Sequence, residues 1–166
     1  MAKSCLSIIP LTVFGVVEPL LLVWAYIIAL QDLPAYYSAQ APNAPLAAGD
    51  QVPAQGLVLL LQLVNVYLLL AAVAVICSWT PHATVARWYL IAVAFADYGH
   101  IWACYRGVGP EVFWDVDQWN DMLWGGVGVS AVLNALRWLT VLGAFGALRD
   151  PRTPTGQDGA RGKKNA

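Results

Sequence analysis

An aspartate and a histidine stand three residues apart in Phe95-Ala96-Asp97-Tyr98-Gly99-His100-Ile101-Trp102, inside an apolar run long enough to cross a bilayer. Charge at membrane depth costs from about 2.5 kcal/mol upward and usually marks function. Three other apolar runs carry polar groups of their own. The first holds Glu18, followed by Pro19, the second holds Gln62 and Asn65, and the last holds Asn134 and Arg137. The latter two pairs are each three residues apart and so share a helical face. Arg137 is too far from either end of its run to reach water easily, so it needs an acidic partner.

Two carboxyls in unlike surroundings can divide the work of acid and base. Low dielectric favours the protonated acid, and a nearby cation favours the ionised one. Glu18 and Asp97 are the candidate pair, with Arg137 or a protonated His100 holding one of them charged. Aromatic faces stabilise cations, and Trp24, Tyr26, Tyr98, Trp102 and Trp138 are the rings that could do so. A water-poor site with such groups suits proton-initiated isomerisation or cyclisation of a lipid-soluble olefin or epoxide. The catalytic candidates are therefore Glu18, Asp97 and His100. The substrate-binding candidates are Asn65, Asn134, Arg137, Tyr98 and Trp102. The competing explanation is an interhelical ion-pair set of Glu18, Asp97 and Arg137 that only fixes packing.

Composition places these residues in a membrane protein. Of 166 residues, 59% are hydrophobic and 11% charged, against about a quarter charged in soluble domains. The mean hydropathy is +0.59. Cys5, Cys77 and Cys104 form no C-x-x-C and read as small apolar side chains. The first apolar run is too long for a signal peptide, contains Glu18-Pro19 and lacks a small-residue cleavage site. Glu111, Asp115, Asp117 and Asp121 do not follow the spacing of an EF-hand loop, so no metal is expected, and no cofactor.

The elements that must position the polar groups are four spans, at about 6–30, 56–79, 84–105 and 122–148, since about 20 apolar residues suffice to cross. Together they make residues 1–148 an all-α, integral membrane four-helix bundle. In the first span Pro19 removes a helical hydrogen bond and clashes with the carbonyl of Gly15, freeing that carbonyl for another donor. Residues 31–55, with Pro34, Pro42, Pro45 and Pro53, read as irregular. Residues 106–121 read as an acidic, aromatic interfacial loop, and 149–166 as a disordered basic tail. The glycines at 125, 126 and 128 let the fourth span approach a neighbour closely.

Lys3, Arg87, Arg149, Arg152, Arg161, Lys163 and Lys164 fall on the side shared by both termini, and Arg106 falls opposite. Cations collect on the cytoplasmic side, so both termini, the basic tail included, are expected there. Counted from the other face at 1.5 Å per residue, Glu18 and Asn134 lie about 18 Å down, and Asn65 and Asp97 about 12–14 Å. Gln62 and His100 lie about 8–9 Å down and Arg137 about 22 Å. The polar groups share one band and so predict a common pocket. The two halves of the chain show no inverted repeat, which argues against a transporter.

Glu18-Pro19, Ala96-Asp97-Tyr98-Gly99-His100, and Trp119-Asn120 through Asn134-Ala135-Leu136-Arg137 together resemble a family of small fungal four-helix integral membrane proteins. More distantly, the architecture resembles the EXPERA group of sterol isomerase and sigma-type receptors, and in spirit the longer membrane terpene cyclases of fungal meroterpenoid pathways. That resemblance implies a sterol-like or terpenoid ligand held among helices by buried acids. Asp97 precedes His100 here, so the histidine–glutamate arrangement of the sterol isomerase is not matched. Lys163-Lys164-Asn165-Ala166 resembles the dilysine retrieval signal of endoplasmic reticulum membrane proteins. The expected role is a multi-pass membrane enzyme of lipid or secondary-metabolite biosynthesis, handling a terpenoid, meroterpenoid or polyketide. The alternative is a non-catalytic ligand-binding or accessory subunit of such a pathway. Expected partners are a hydrophobic small molecule and the lipid bilayer, with a homodimer or a pathway enzyme as further candidates and no nucleic acid.

Overall fold

The computed structural model describes residues 4–47 and 49–148. Lys3 and the 149–166 tail, including Lys163 and Lys164, lie outside the described residues. The described chain is all-helical, with five helices and no strand. Helix α1 spans Ile8–Gln31, α2 is Leu33–Ala39, α3 is Ala54–Ser78, α4 is Ala83–Trp114, and α5 covers residues 121–141. By length and composition α1 and α3 are apolar enough to cross a membrane.

Two helices contain a π-helical turn, Val13–Val17 in α1 and Trp124–Val129 in α5. The first follows from Pro19, which has no N–H to give Gly15. That carbonyl instead accepts a hydrogen bond from Trp79 Nε1 at 3.0 Å. The indole comes so near that a Cβ on Gly15 would sit 3.0 Å from Nε1. The wide turn ends at Glu18, the first residue of the regular helix that follows.

The long helices pack as two pairs, α1 with α3 and α4 with α5. A core of Phe14, Ala74, Ala86, Tyr89, Leu90 and Val93 joins α1, α3 and α4, and Leu133 and Leu136 of α5 pack against it. The N-terminal segment is tied to the end of α3 through Ser4 Oγ, which donates to the Ser78 carbonyl at 2.6 Å, and Cys5 N–H, which donates to the Thr80 carbonyl at 3.1 Å.

The connections depart from the sequence reading. Residues 31–55 are not wholly irregular, because Leu33–Ala39 is helical. Asp32 caps it, accepting from Ala35 N–H at 2.9 Å, and Pro34 occupies the first turn, where its missing N–H costs nothing. Tyr36 then packs with Ala29, Leu60 and Val64, and its hydroxyl lies 2.9 Å from that of Tyr67. Helix α4 does not stop near Tyr105 but runs to Trp114. It breaks at Gly109, whose φ of 80° only glycine takes readily, directly before Pro110. Asn43 Nδ2 donates to the Val108 carbonyl just ahead of that break, at 2.9 Å. Asn120 caps α5 through Leu123 N–H and also donates to the Ala39 carbonyl, each at 2.9 Å. Helix α5 ends at Val141 rather than running to Leu148, and turns at Gly143 and Gly146 follow it.

Candidate functional site: a buried arginine between two carboxylates

Asn134 and Arg137 lie one turn apart on α5, facing α1 and α4. Arg137 is 1% exposed and ranks among the largest fully buried side chains. Its guanidinium forks between two helices. Nη1 donates to Asp97 Oδ2 on α4 at 2.6 Å, and Nη2 donates to Glu18 Oε1 on α1. The planar fork suits two acceptors at once, which a lysine ammonium does not match. Phe14, one turn before Glu18, places its ring centroid 5.3 Å from Arg137 Cζ, a cation–π contact inside the core. Asn134 Nδ2 donates to the Ala94 carbonyl at 2.7 Å and reaches Asp97 Oδ2 at 3.4 Å. The amide thus fixes the carboxylate relative to the backbone of its own helix.

The set is not fully satisfied. Glu18 Oε2, Arg137 Nε and the Tyr89 hydroxyl are buried without a hydrogen-bond partner among the described residues. Native structures leave few buried polar atoms unpaired, and each needs a reason. With both acids ionised the set carries one surplus negative charge, and a single proton cancels it. Glu18 Oε1 is committed to Arg137, while Oε2 is free to hold that proton or meet a polar group.

The chain belongs to the family described as Domain of unknown function (DUF7704), whose model matches residues 3–147. The DUF7704 match therefore takes in Glu18, Asp97, Asn134 and Arg137 together with the helices that carry them. No curated protein and no solved structure matches the chain.

Glu18 and Asp97 come together through Arg137, with Asn134 beside them. The other candidates lie elsewhere. His100 is exposed on α4, and its Nε2 packs over Gly126 of the second π-helical turn, next to Cys104 Sγ. It makes no hydrogen bond or ion pair with the arginine set among the described residues, and its ring lies against α5's glycine segment instead. Tyr98 and Trp102 are 50% and 64% exposed. The Tyr98 hydroxyl is taken by Trp138 Nε1 at 2.9 Å, in an outward aromatic cluster with Phe95. Trp24 also faces outward at 63% exposure. Asn65 and Gln62 are exposed on the outer face of α3. Sequence reasoning missed Phe14 and Tyr89. Phe14 had a signal, standing four residues before Glu18, where its side chain must share that residue's face.

Proposed function

We propose that this chain is a four-span integral membrane protein of the endoplasmic reticulum, with both termini cytoplasmic. Its role is proton-transfer isomerisation or cyclisation of a lipid-soluble terpenoid, sterol-like or polyketide intermediate. The membrane reading is supported by what the long helices expose. In a soluble core an apolar helix is mostly buried, yet only 28% of the best window of α1 and 22% of that of α3 is. Helices α4 and α5 add exposed Trp88, Phe95, Trp102, Val132 and Leu139. A bilayer solvates such a surface, whereas water penalises it. The endoplasmic reticulum placement and the two fungal resemblances rest on sequence alone.

The enzyme reading is carried by the free oxygen of Glu18. Protonated at Oε2, Glu18 can donate to one carbon of a double bond: the π pair forms the new C–H bond and leaves a cation on the other carbon. Loss of a proton from a neighbouring C–H to a carboxylate then restores a double bond at a new position, with no net change in electrons. Arg137 holds both acids in place, and Asp97 balances its charge.

The test feeds the intermediate that accumulates in a deletion strain to membranes carrying this protein alone. The unaltered chain is expected to convert it. Glu18→Gln, which leaves a charge-balanced Arg137–Asp97 pair, is expected to be normally abundant yet slower by about 100-fold or more. Full conversion by Glu18→Gln membranes refutes the catalytic role. The second reading is the binding or accessory subunit. The outward positions of Tyr98, Trp102 and Trp24 favour it, because the rings meant to surround a cation are not at the acids. Co-purification with a larger membrane enzyme, with no conversion by this chain alone, would select it.

A further inference from the structure

Helix α3 buries Leu60, Val64, Ala71, Ala74 and Ser78 against the rest of the chain. On its opposite side Gln55, Val58, Gln62, Asn65, Leu69, Ala72 and Ile76 are all exposed. Their spacing alternates three and four residues without a break, the 3.5-residue period of a helix that meets another along its whole length. The row rises about 32 Å, close to the roughly 30 Å of the hydrocarbon core. Two of its central members, Gln62 and Asn65, carry amides with no partner among the described residues. Such groups are costly against lipid, where no water replaces the missing hydrogen bonds.

We infer that α3 is the interface of a parallel homodimer, with Gln62 and Asn65 hydrogen-bonding to the same residues of a second copy. The inference rests on the membrane reading above. The occupant follows from the chemistry of the row. Every copy inserts with one orientation, so the α3 helices of two copies run parallel, and a two-fold axis along the membrane normal brings equal residues into register. An amide is donor and acceptor at once, so it satisfies its own copy, whereas a lone carboxylate or ammonium would repel it. Ala72 gives the close approach that membrane helix pairs favour. A polar residue at one seam position is also the device that fixes register and strand number in coiled coils.

Single cysteines test the seam in membranes, in a chain whose three native cysteines are changed to alanine. Should that background fail to insert, the same substitutions go into the native chain and its own crosslinks are subtracted. Oxidation of Val58→Cys, Leu69→Cys and Ile76→Cys is expected to give a species of doubled mass. Leu59→Cys and Leu68→Cys, roughly a quarter turn to either side, are expected to give none. Gln62→Leu with Asn65→Leu is expected to weaken dimerisation in mild detergent by about tenfold. Equal crosslinking at all five positions overturns the dimer, as does adduct formation only with a different protein. A chain that stays in the carbonate-washed pellet but crosslinks nowhere overturns the dimer and leaves the membrane reading standing. A chain released by carbonate overturns both.

Discussion

Replacing Arg137 by leucine separates a buried charge set from an ordinary packing contact. The substitution keeps a bulky apolar side chain on α5 but leaves Asp97 and Glu18 each without its cation, at 9% and 3% exposure. Removing one partner of a buried pair typically costs about 3–5 kcal/mol, because the remaining charge is stranded. Each carboxyl that stays ionised without the guanidinium adds to that cost, and a proton taken up at the open Oε2 of Glu18 limits it. Set against whole-domain stabilities of about 5–15 kcal/mol, Arg137→Leu should sharply lower both abundance in membranes and resistance to unfolding. The discriminating observation is the recovery. Arg137→Leu with Glu18→Gln strands one carboxylate instead of two, and adding Asp97→Asn strands none. Stability should therefore climb stepwise, with each acid coupled to Arg137 by about 2 kcal/mol or more. Neutral replacement of a whole buried ion set is often nearly free, so the triple variant should come within about 2 kcal/mol of the native chain. Arg137→Lys should fall between, since an ammonium cannot serve both acceptors as the fork does. Unfolding in mixed micelles of rising dodecyl sulfate content, followed by the fluorescence of the eight tryptophans, measures each step. Additivity of Arg137→Leu and Glu18→Gln within about 0.5 kcal/mol would refute the coupled set.

Glu18→Gln and Asp97→Asn should each slow product formation, and the double variant should be little slower than either, as for residues that act as one unit. His100→Ala should keep turnover within about threefold, since its ring packs over Gly126 and not at the acids; a loss near the 100-fold scale of general acid–base catalysis would return it to the catalytic set. Gly15→Ala should destabilise by about 1–3 kcal/mol, because its methyl would meet Trp79, Leu11 and Ser78 at 3.0–3.2 Å. Trp79→Phe should cost about 1–3 kcal/mol by orphaning the buried Gly15 carbonyl, and melting of the purified chain in detergent checks both. Glycosylation acceptors at the exposed Asp50 and Asp117 should be modified and one in the 149–166 tail should not; modification of the tail alone would reverse the topology.

How much of this was legible in the sequence depends on what periodicity encodes. The four long helices are visible as apolar runs, and Asn134 with Arg137 on one face follows from their spacing alone. The need of a deep arginine for an acid is likewise a statement about energy that requires no coordinates. Pro19 identifies Gly15 as the carbonyl it frees, and the structure gives that carbonyl the Trp79 indole. What spacing does not encode is the rotation of each helix about its axis. In a soluble helix the polar side faces water, so composition sets the rotation. In these helices nearly every position is apolar, and polarity no longer separates inside from outside. Gln62 and Asn65 share a face with each other but it is turned away from Asp97, and Tyr98 and Trp102 turn outward although Asp97, next to Tyr98 in the chain, points in. Contacts of the small residues decide this: Ala71, Ala74 and Ala86 are buried at 6% or less and let the backbones close. Glu18, Asp97 and Arg137 meet with Asn134 beside them, while Gln62 and Asn65, at a similar height along their helix, lie exposed on the far side of α3. A polar band read from sequence is a statement of height alone. The exposed amides on the outer face of α3 are where the expectation of a single internal pocket fails, and they are the groups the proposed dimer would pair.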